Sequence, residues 1–388
     1  MRIAYLCPDG GIPVFGDKGG SVHVRAMIRA FRAEGHEVEV FCAETGDGPA
    51  DFAVTALGPD FPPAEGREAK ERRLLALADA LQARLEQQHR HRPFDLIYER
   101  YGLWSAAGVR AGRRLGIPAV IEVNAPLVEE QAAFRKFVLQ DAARAIEAEV
   151  FSTADALAVV SRELAVYVAS RGAGPEAIHV IGNAVDCAAF HPAIPAAEVP
   201  GLPDTAFTIG FTGSLKAWHG TDLLVEALAR LRPAIDARLL IVGDGPERGA
   251  LLDHAARHGL SHAVTITGWV PHHRLPGLIA RMDAAVAPYP AMANHYFSPL
   301  KLFEYLAMGR AIVASRIGQT ADLLGPDGSG LLVPPGDAVA LADALHRIAT
   351  DAPLAARLRQ RAAMQARHHD WRANARRIVD LIPRAKAA

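Results

Sequence analysis

The chain alternates short apolar runs with amphipathic helical segments, and it does so in two successive series. Apolar runs at residues 3–6, 38–42 and 119–123 belong to the first series, and runs at 207–211 and 284–287 belong to the second. The segments between them place apolar residues at the three-and-four spacing of a helix. Strands separated by helices predict parallel sheets that are covered on both faces. We therefore expect an α/β protein with two doubly wound, Rossmann-like domains.

Length and proline placement predict where the domains divide. The chain has 388 residues, which is too many for one ordinary core. The periodic pattern is lost over residues 191–204, which contain four prolines, so this segment is the expected linker. The predicted domains are residues 1–190 and 205–370, and a last helix within 371–388 is expected to return to the first domain. Ligands of doubly wound sheets bind beyond the carboxyl ends of the strands, so we expect the domains to face a central cleft.

Composition excludes several classes of function. A net charge of −1 provides no field that would recruit nucleic acid. The three cysteines lie far apart, match no metal or redox spacing, and predict a reducing, cytoplasmic setting. No apolar stretch approaches the ~18 residues that cross a bilayer. The first residues are typical of a buried strand rather than of a signal peptide.

Two basic stretches leave an alternative open. Residues 67–92 carry a net charge of +3, and residues 355–388 carry a net charge of +7. Solvated helix faces explain both stretches. Peripheral contact with the inner face of a membrane is the sharper alternative, because basic helices bind anionic lipid.

The segment 296–309 carries the strongest functional signal. A helix is expected to begin at Pro299 and to stop at Gly309, because proline suits the first helical position and glycine the residue after the last. Such a helix aims free backbone N–H groups at an anion. Glu304, in the second turn, is placed to accept hydrogen bonds from two neighbouring sugar hydroxyls. The residues expected at the anion-binding end are Phe297, Ser298, Pro299 and Leu300.

Glycine-rich turns follow predicted strands in both halves. Gly19 and Gly20 precede the first helix, where backbone can approach a ligand closely, but the glycine order is not that of a dinucleotide fingerprint. In the second half, the segment 211–220 contains Lys216 and His219, which can supply cationic donors to phosphate oxygens. The backbone at Val270 is a candidate partner for the edge of a base. No Asp-x-Asp pair is present, so a metal clamped by carboxylates is not expected.

Together these motifs resemble the retaining nucleotide-sugar glycosyltransferases of family 4 (group 1), which have the two-domain GT-B fold. The resemblance rests on Gly19-Gly20 and on the segments 180–186, 211–220, 241–246 and 298–309. It implies transfer of a sugar from a nucleoside diphosphate donor to an acceptor hydroxyl, with the anomeric configuration kept and without a metal or other cofactor. It also implies that Glu304 holds the ribose and that the backbone at 298–300 holds the diphosphate, which Gly19 and Gly20 would approach across the cleft.

The chain departs from the family pattern at several positions. Many members have Arg and Lys where this chain has Ser214 and His219, so Lys216 is expected to take over the phosphate contact beside Gly213. Many members have a glutamate where this chain has Tyr296. Others carry a histidine in the acceptor domain, and Asn124 is the nearest positional candidate here.

The expected catalytic residues are therefore Lys216, Glu304 and Asn124, and Gly213, Ser214 and His219 join the expected donor site. Near Asn124, the carboxylates of Glu122, Glu129 and Glu130 are open to either an acceptor-binding or a structural role.

Two other functions remain open on the same architecture. One is a sugar-nucleotide epimerase or hydrolase, which would consume the donor without an acceptor. The other is a nucleotide-sugar-binding protein without chemistry, because two usual polar positions are replaced. The sequence does not identify the base, the sugar or the acceptor. A UDP-sugar is expected only because it is the common donor.

Overall fold

The computed structural model describes residues 1–292 and 295–382, and the chain divides into two compact units. The first unit contains residues 1–183, residues 296–298 and the described residues from 371 onward. The second unit contains the described residues between 184 and 295 together with residues 299–370. Within the described residues, no helix is both long enough and apolar enough to cross a membrane.

The first unit is a parallel sheet with helices between its strands. Its strands are β1 (Arg2–Cys7), β2 (Glu37–Cys42), β3 (Val54–Ala56), β4 (Leu96–Arg100), β5 (Ala119–Val123), β6 (Ala156–Val159) and β7 (Ile178–Val180). Its helices up to that point are α1 (Gly19–Ala33), α2 (Arg67–His91), α3 (Ala107–Leu115), α4 (Leu127–Phe134), α5 (Gln140–Thr153) and α6 (Arg162–Ser170). The strand order is β3-β2-β1-β4-β5-β6-β7, so the winding reverses between β1 and β4.

The core of the first unit forms because its central strands are apolar on both faces. Leu6, Phe41, Ile97 and Leu157 are fully buried or nearly so in one cluster that continues into the flanking helices. Helices cover both faces of a doubly wound sheet, which leaves the carboxyl ends of β1, β4 and β5 as the place for polar side chains.

The second unit repeats this architecture. Its strands are β8 (Phe207–Thr212), β9 (Ala237–Val242), β10 (Val264–Ile266), β11 (Ala284–Ala287), β12 (Ala311–Ser315) and β13 (Leu331–Val333). Its helices are α7 (Asp222–Leu231), α8 (Arg248–Arg257), α9 (Leu275–Ala280), α10 (Leu300–Ala307), α11 (Gly318–Leu324), α12 (Ala338–Thr350) and α13 (Ala352–Ala366). The parallel order is β10-β9-β8-β11-β12-β13, and the reversal lies between β8 and β11.

The chain passes from the first unit to the second earlier than the prolines suggest. The division lies between Asn183 and Ala184 rather than within residues 191–204. The predicted linker packs in the second unit, where Val199 and Leu202 are buried with the residues around α10. Proline ends the helical periodicity of this segment but does not prevent its apolar side chains from packing.

The last helix, α14 (Trp371–Asp380), belongs to the first unit. The edge of the His23 ring meets the Trp371 ring at a centroid separation of 4.8 Å. Arg372 Nε donates to Glu34 Oε1 at 2.6 Å, at the end of α1. The expected return of the last helix to the first domain is therefore confirmed over its described residues.

Candidate functional site

In the second unit, the backbone turns after β8 and β9 hold each other in place. The N–H of Gly213 donates to the carbonyl of Val242 at 2.9 Å, and the N–H of Leu215 donates to the carbonyl of Asp244 at 2.9 Å. Gly243 has a φ of 145°, and a Cβ atom placed on it would lie 2.0 Å from the carbonyl oxygen of Gly213. Only glycine permits this approach. The two turns thus form one rigid platform at the carboxyl ends of the strands.

We expect Gly243→Ala to destabilise the protein by about 3 kcal/mol or more, because overpacking adds to an unfavourable φ. Chemical denaturation followed by circular dichroism measures this change. Gly249→Ala is the matched control, because a Cβ atom at that position in α8 would meet nothing within 4 Å. Alanine there should stabilise the protein by up to about 1 kcal/mol. Equal stability of the two variants would show that the turns are not closely packed.

Helix α10 is fixed to the same platform. The N–H of Thr212 donates to the Tyr305 hydroxyl at 2.7 Å, and the Thr212 hydroxyl lies 3.1 Å from the same oxygen. Pro299 is the residue before the helix rather than its first residue, and Gly309 has the positive φ (59°) expected of a helix end. The helix therefore begins one residue later than predicted, and its sequence-predicted C-terminal boundary agrees to within two residues.

Glu304 lies on α10 and is almost entirely buried, with 7% of its surface exposed. His272, in the short turn after β10, brings its Nε2 to 2.9 Å from Glu304 Oε1. The ring of His272 in turn packs on Phe190 at a centroid separation of 5.3 Å. Sequence reasoning missed His272. It orients the carboxylate that was expected to hold a ribose.

His219 is held as a neutral ring. Its Nδ1 lies 2.6 Å from the carbonyl oxygen of Ser214, which requires a proton on Nδ1 and leaves Nε2 as an acceptor. Burial, followed by the charge of Lys301, lowers the pKa of His219 to about 3. A neutral ring does not supply the cationic donor that was expected at this position. It is suited instead to accept a hydrogen bond from a hydroxyl.

Lys301 places a buried amine in this region. Only 8% of its surface is exposed, and within the described residues its Nζ has no hydrogen-bond partner. The Nζ lies 3.9 Å from the centroid of the Phe211 ring, and a Cβ atom placed on Gly213 would lie 3.0 Å from it. Burial lowers the pKa of Lys301 to about 7, although the charge of Glu304 opposes this effect. The sequence analysis gave Lys301 no role.

The other expected donor-site residues of the second unit are more exposed to solvent than Glu304 and Lys301. Lys216 is partly exposed, and its Nζ lies 5.7 Å from the Trp218 ring centroid. Ser214 is exposed at the tip of the platform. Val270 is partly buried beside the core around α10, and Pro299 and Leu300 are partly buried at the start of that helix. The second unit therefore brings Gly213, Ser214 and His219 together on one turn, next to α10.

The remaining candidates belong to the first unit. Gly19 and Gly20 are the first two residues of α1 rather than part of a turn before it. Asn124 follows β5, and its Nδ2 is buried without a hydrogen-bond partner among the described residues. Phe297 and Ser298 also group with this unit.

Ser298 is already engaged inside the first unit. Its Oγ accepts from the N–H of Asn183 at 2.8 Å, and its carbonyl accepts from Asn183 Nδ2 at 2.5 Å. The side chain and carbonyl of Ser298 therefore secure the chain where it crosses to α10. Its backbone N–H is the group that the sequence analysis assigned to the diphosphate, and that assignment stays a prediction.

Glu122 belongs to a buried polar cluster at the end of β5. His23 Nε2 lies 2.6 Å from Glu122 Oε1, and Arg100 donates to Glu122 Oε2 at 3.4 Å. Burial alone would raise the pKa of Glu122, but the His23 ring and the Arg100 guanidinium more than offset it and lower that pKa to about 2. Of the two roles left open for Glu122, this geometry favours the structural one.

Glu130 and Tyr296 are hydrogen-bonded to each other within the first unit. The pKa of the Tyr296 phenol is raised by burial and by the Glu130 carboxylate. Tyr296, the position at which the resemblance implies a glutamate, thus donates a hydrogen bond to a carboxylate of α4. Glu129, the other carboxylate of α4, instead forms an ion pair with Arg171 at 2.8 Å.

Within the described residues, no group of three or more His, Cys, Asp or Glu side chains is arranged to hold a metal ion. The site chemistry that the structure does offer consists of backbone N–H groups, one buried ammonium, one neutral imidazole and one buried carboxylate.

Two doubly wound parallel units, one of which carries interlocked glycine turns beside a helix with a buried carboxylate, are the architecture of the GT-B class. Solved structures support this fold. Sucrose-phosphate synthase from Thermosynechococcus elongatus matches 98% of this chain and 98% of its own, with a TM-score of 0.76 and 22% identity. Anabaena HepE in complex with UDP and glucose matches 98% of each chain, with a TM-score of 0.71 and 20% identity.

The chain belongs to the family 4, group 1 glycosyltransferases. The model of Glycosyltransferase Family 4 matches residues 18–189, and the model of Glycosyl transferases group 1 matches residues 206–351. A D-inositol 3-phosphate glycosyltransferase of Stackebrandtia nassauensis is 30% identical over 92% of this chain and 85% of its own length. The same-named protein of Jonesia denitrificans is 30% identical over 100% of this chain and 97% of its own. The resemblance seen in the sequence, the GT-B fold and the glycosyltransferase activity are thereby confirmed.

Proposed function

We propose that this glycosyltransferase moves a hexose from a nucleoside diphosphate sugar to an acceptor hydroxyl, keeps the anomeric configuration, and needs no metal. The observation that carries the proposal is the arrangement around α10. Glu304, oriented by His272, can accept hydrogen bonds from two ribose hydroxyls, and the glycine turns beside the start of α10 let backbone approach a diphosphate closely.

The proposed chemistry is a front-side displacement. The bond between the anomeric carbon and the diphosphate oxygen breaks, and the acceptor oxygen bonds to that carbon on the same face. The acceptor proton passes to an oxygen of the departing β-phosphate. Backbone N–H groups at the start of α10 and the cation Lys216 stabilise the charge that develops on the diphosphate, which is electrostatic catalysis. Asn124, whose amide Nδ2 is buried without a partner among the described residues, is the proposed polar contact of the acceptor.

UDP is the first nucleotide to test, because the solved HepE structures contain UDP, UDP with glucose, or UDP-glucose. Inositol 3-phosphate belongs in the acceptor panel, because the curated relatives are named for it. A cytoplasmic location and contact with the inner membrane face stay predictions from composition and charge.

The test is a donor and acceptor screen. Nucleoside diphosphates and sugars of uridine, guanosine and adenosine are first ranked by the rise in melting temperature, since a ligand that binds only the folded protein stabilises it. The best donor is then incubated with a panel of hydroxyl acceptors, and NMR determines the anomeric configuration of the product. We expect acceptor-dependent transfer with retention. Consumption of the donor without any acceptor would favour a hydrolase or epimerase, and binding without turnover would favour a protein without chemistry.

A further inference from the structure

We propose that Lys301 provides the positive charge that binds the diphosphate of the donor, from directly beneath the turn at Gly213 and Ser214. This inference rests on the proposed function and assigns the phosphate contact that the chain lacks at Ser214 and His219. Neither of those two residues carries a positive charge, because one is a serine and the other is a neutral imidazole.

The first argument is that the buried amine of Lys301 has no hydrogen-bond partner among the described residues. A buried charge is costly unless it is paired, and proteins usually pair it. Lys301 is buried to more than nine-tenths, yet within the described residues it has neither a hydrogen bond nor an ion pair. Its closest described electrostatic compensation is the face of the Phe211 ring, with the Tyr289 ring further away at 5.9 Å. A site of this kind is incomplete without an anion.

The second argument is the place to which the ammonium points. A Cβ atom on Gly213 would lie 3.0 Å from Lys301 Nζ, so the amine lies directly against the backbone of this turn. Gly213 is partly exposed and Ser214 is exposed, so a ligand has access to the turn. An anion bound on the turn would therefore lie close to Lys301 Nζ. The low dielectric around the buried amine would strengthen the attraction between the anion and a protonated Lys301. Lys216 Nζ, by contrast, lies 5.7 Å from the ring centroid of the exposed Trp218.

Diphosphate binding should also draw a proton onto Lys301. The titratable groups that face it are Glu304 on its own helix, His219 on the turn after β8, and Tyr289 after β11. His219 is neutral, and the pKa of Tyr289 is raised by burial, so neither changes charge near neutral pH. Because burial lowers the pKa of Lys301 to about 7, the free protein at pH 8 holds this amine largely unprotonated. A diphosphate favours the charged form.

The test uses the full chain and whichever of UDP, GDP and ADP raises the melting temperature of the wild type most. Isothermal calorimetry compares this nucleotide with its nucleoside for the wild type, Lys301→Gln, Lys216→Gln and Lys70→Gln. Lys301→Gln should weaken diphosphate binding about tenfold or more and change nucleoside binding less than twofold. Lys216→Gln should cause a smaller loss. Lys70, exposed on α2 in the first unit, is the matched control and should show no change.

Proton uptake on nucleotide binding distinguishes the two roles, because it would be the same in the wild type and in Lys301→Gln if Lys301 were only structural. Calorimetry at pH 8 in buffers of different ionisation enthalpy should show uptake of a substantial fraction of a proton by the wild type and clearly less by Lys301→Gln. Lys301→Met should melt at a higher temperature than the wild type at pH 7, and the gap should shrink as the pH rises toward 10.5, where the unfolded amine also loses its proton. Melting curves of Lys301→Gln and Lys301→Met show directly whether both variants fold.

The outcomes separate this inference from the proposed function. If no nucleoside diphosphate binds the wild type, the proposed function fails and this inference fails with it. If the wild type binds and Lys301→Gln binds equally well, with the same proton uptake, only the role of Lys301 is overturned. The inference is supported if Lys301→Gln binds the nucleoside diphosphate more weakly but the nucleoside equally well, and if its proton uptake is reduced.

Discussion

Glu304→Ala is expected to lower donor affinity, and transfer at subsaturating donor, by a factor of about 10²–10⁴. A carboxylate that accepts two hydroxyl hydrogen bonds contributes about 1.5–3 kcal/mol for each, and each 1.4 kcal/mol is about tenfold. The loss should appear in the dissociation constant of the nucleotide and also in that of the nucleoside, because both carry the ribose. This pattern distinguishes Glu304 from Lys301, which acts on the diphosphate alone. Calorimetry with the two ligands measures the difference.

The control for Glu304 is its orienting partner. His272→Gln keeps the carboxylate but removes the ring that holds Oε1 at 2.9 Å, so we expect a loss of less than tenfold. If the carboxylate served only to satisfy His272, the two variants would behave alike and both would affect stability rather than binding. If Glu304→Ala binds the nucleoside with an affinity within threefold of the wild type, Glu304 does not bind the ribose.

Glu122→Ala is expected to destabilise the protein by about 3–5 kcal/mol, because removal of one partner leaves buried charge or polarity without compensation. His23 and Arg100 both point at this carboxylate, and all three side chains are buried. For a unit of this size the melting temperature should fall by at least about 6 °C. Differential scanning calorimetry measures the change. Glu68→Ala is the matched control, since its ion pair with Arg72 is exposed and should contribute less than about 1 kcal/mol.

The same cluster predicts how stability depends on acid. The pKa of Glu122 is lowered to about 2 in the folded protein, from an ordinary value of 4.5. The stabilisation is therefore present above pH 4.5 and is lost as the pH falls from 4.5 toward 2. Glu122→Ala should show a weaker loss of unfolding free energy over this window than the wild type. Parallel curves for the two proteins, or a destabilisation below about 1 kcal/mol at pH 7, would contradict the buried-pair account.

Much of the fold follows from local sequence patterns, because central strands of a parallel sheet are apolar on both faces. The runs predicted at 119–123 and 284–287 coincide with β5 and β11. The strands that the patterns missed, β3 and β13, have three residues each and lie at sheet edges, so they carry almost no periodic signal. Proline marked a break in helical periodicity near residue 200 but could not mark which unit that segment joins.

The local placement of the candidate residues was predictable where a short pattern sets the backbone, as for Glu304 on a helix and for the glycine turns. It was not predictable where burial decides. The imidazole of His219 is neutral rather than cationic, and Lys301, which no pattern singled out, has a buried amine without a hydrogen-bond partner among the described residues. The pairing of His23 with Glu122 joins residues 99 positions apart. Long-range contacts of this kind set the charge of a side chain, and no local pattern contains them.

The most direct test is a crystal structure of the chain with its donor bound. The account predicts that the diphosphate lies on the turn at Gly213 and Ser214, above Lys301, and that two ribose hydroxyls lie about 3 Å from the Glu304 carboxylate. A nucleotide bound elsewhere, with Glu304 contacting only His272 and no anion near Gly213, would contradict it.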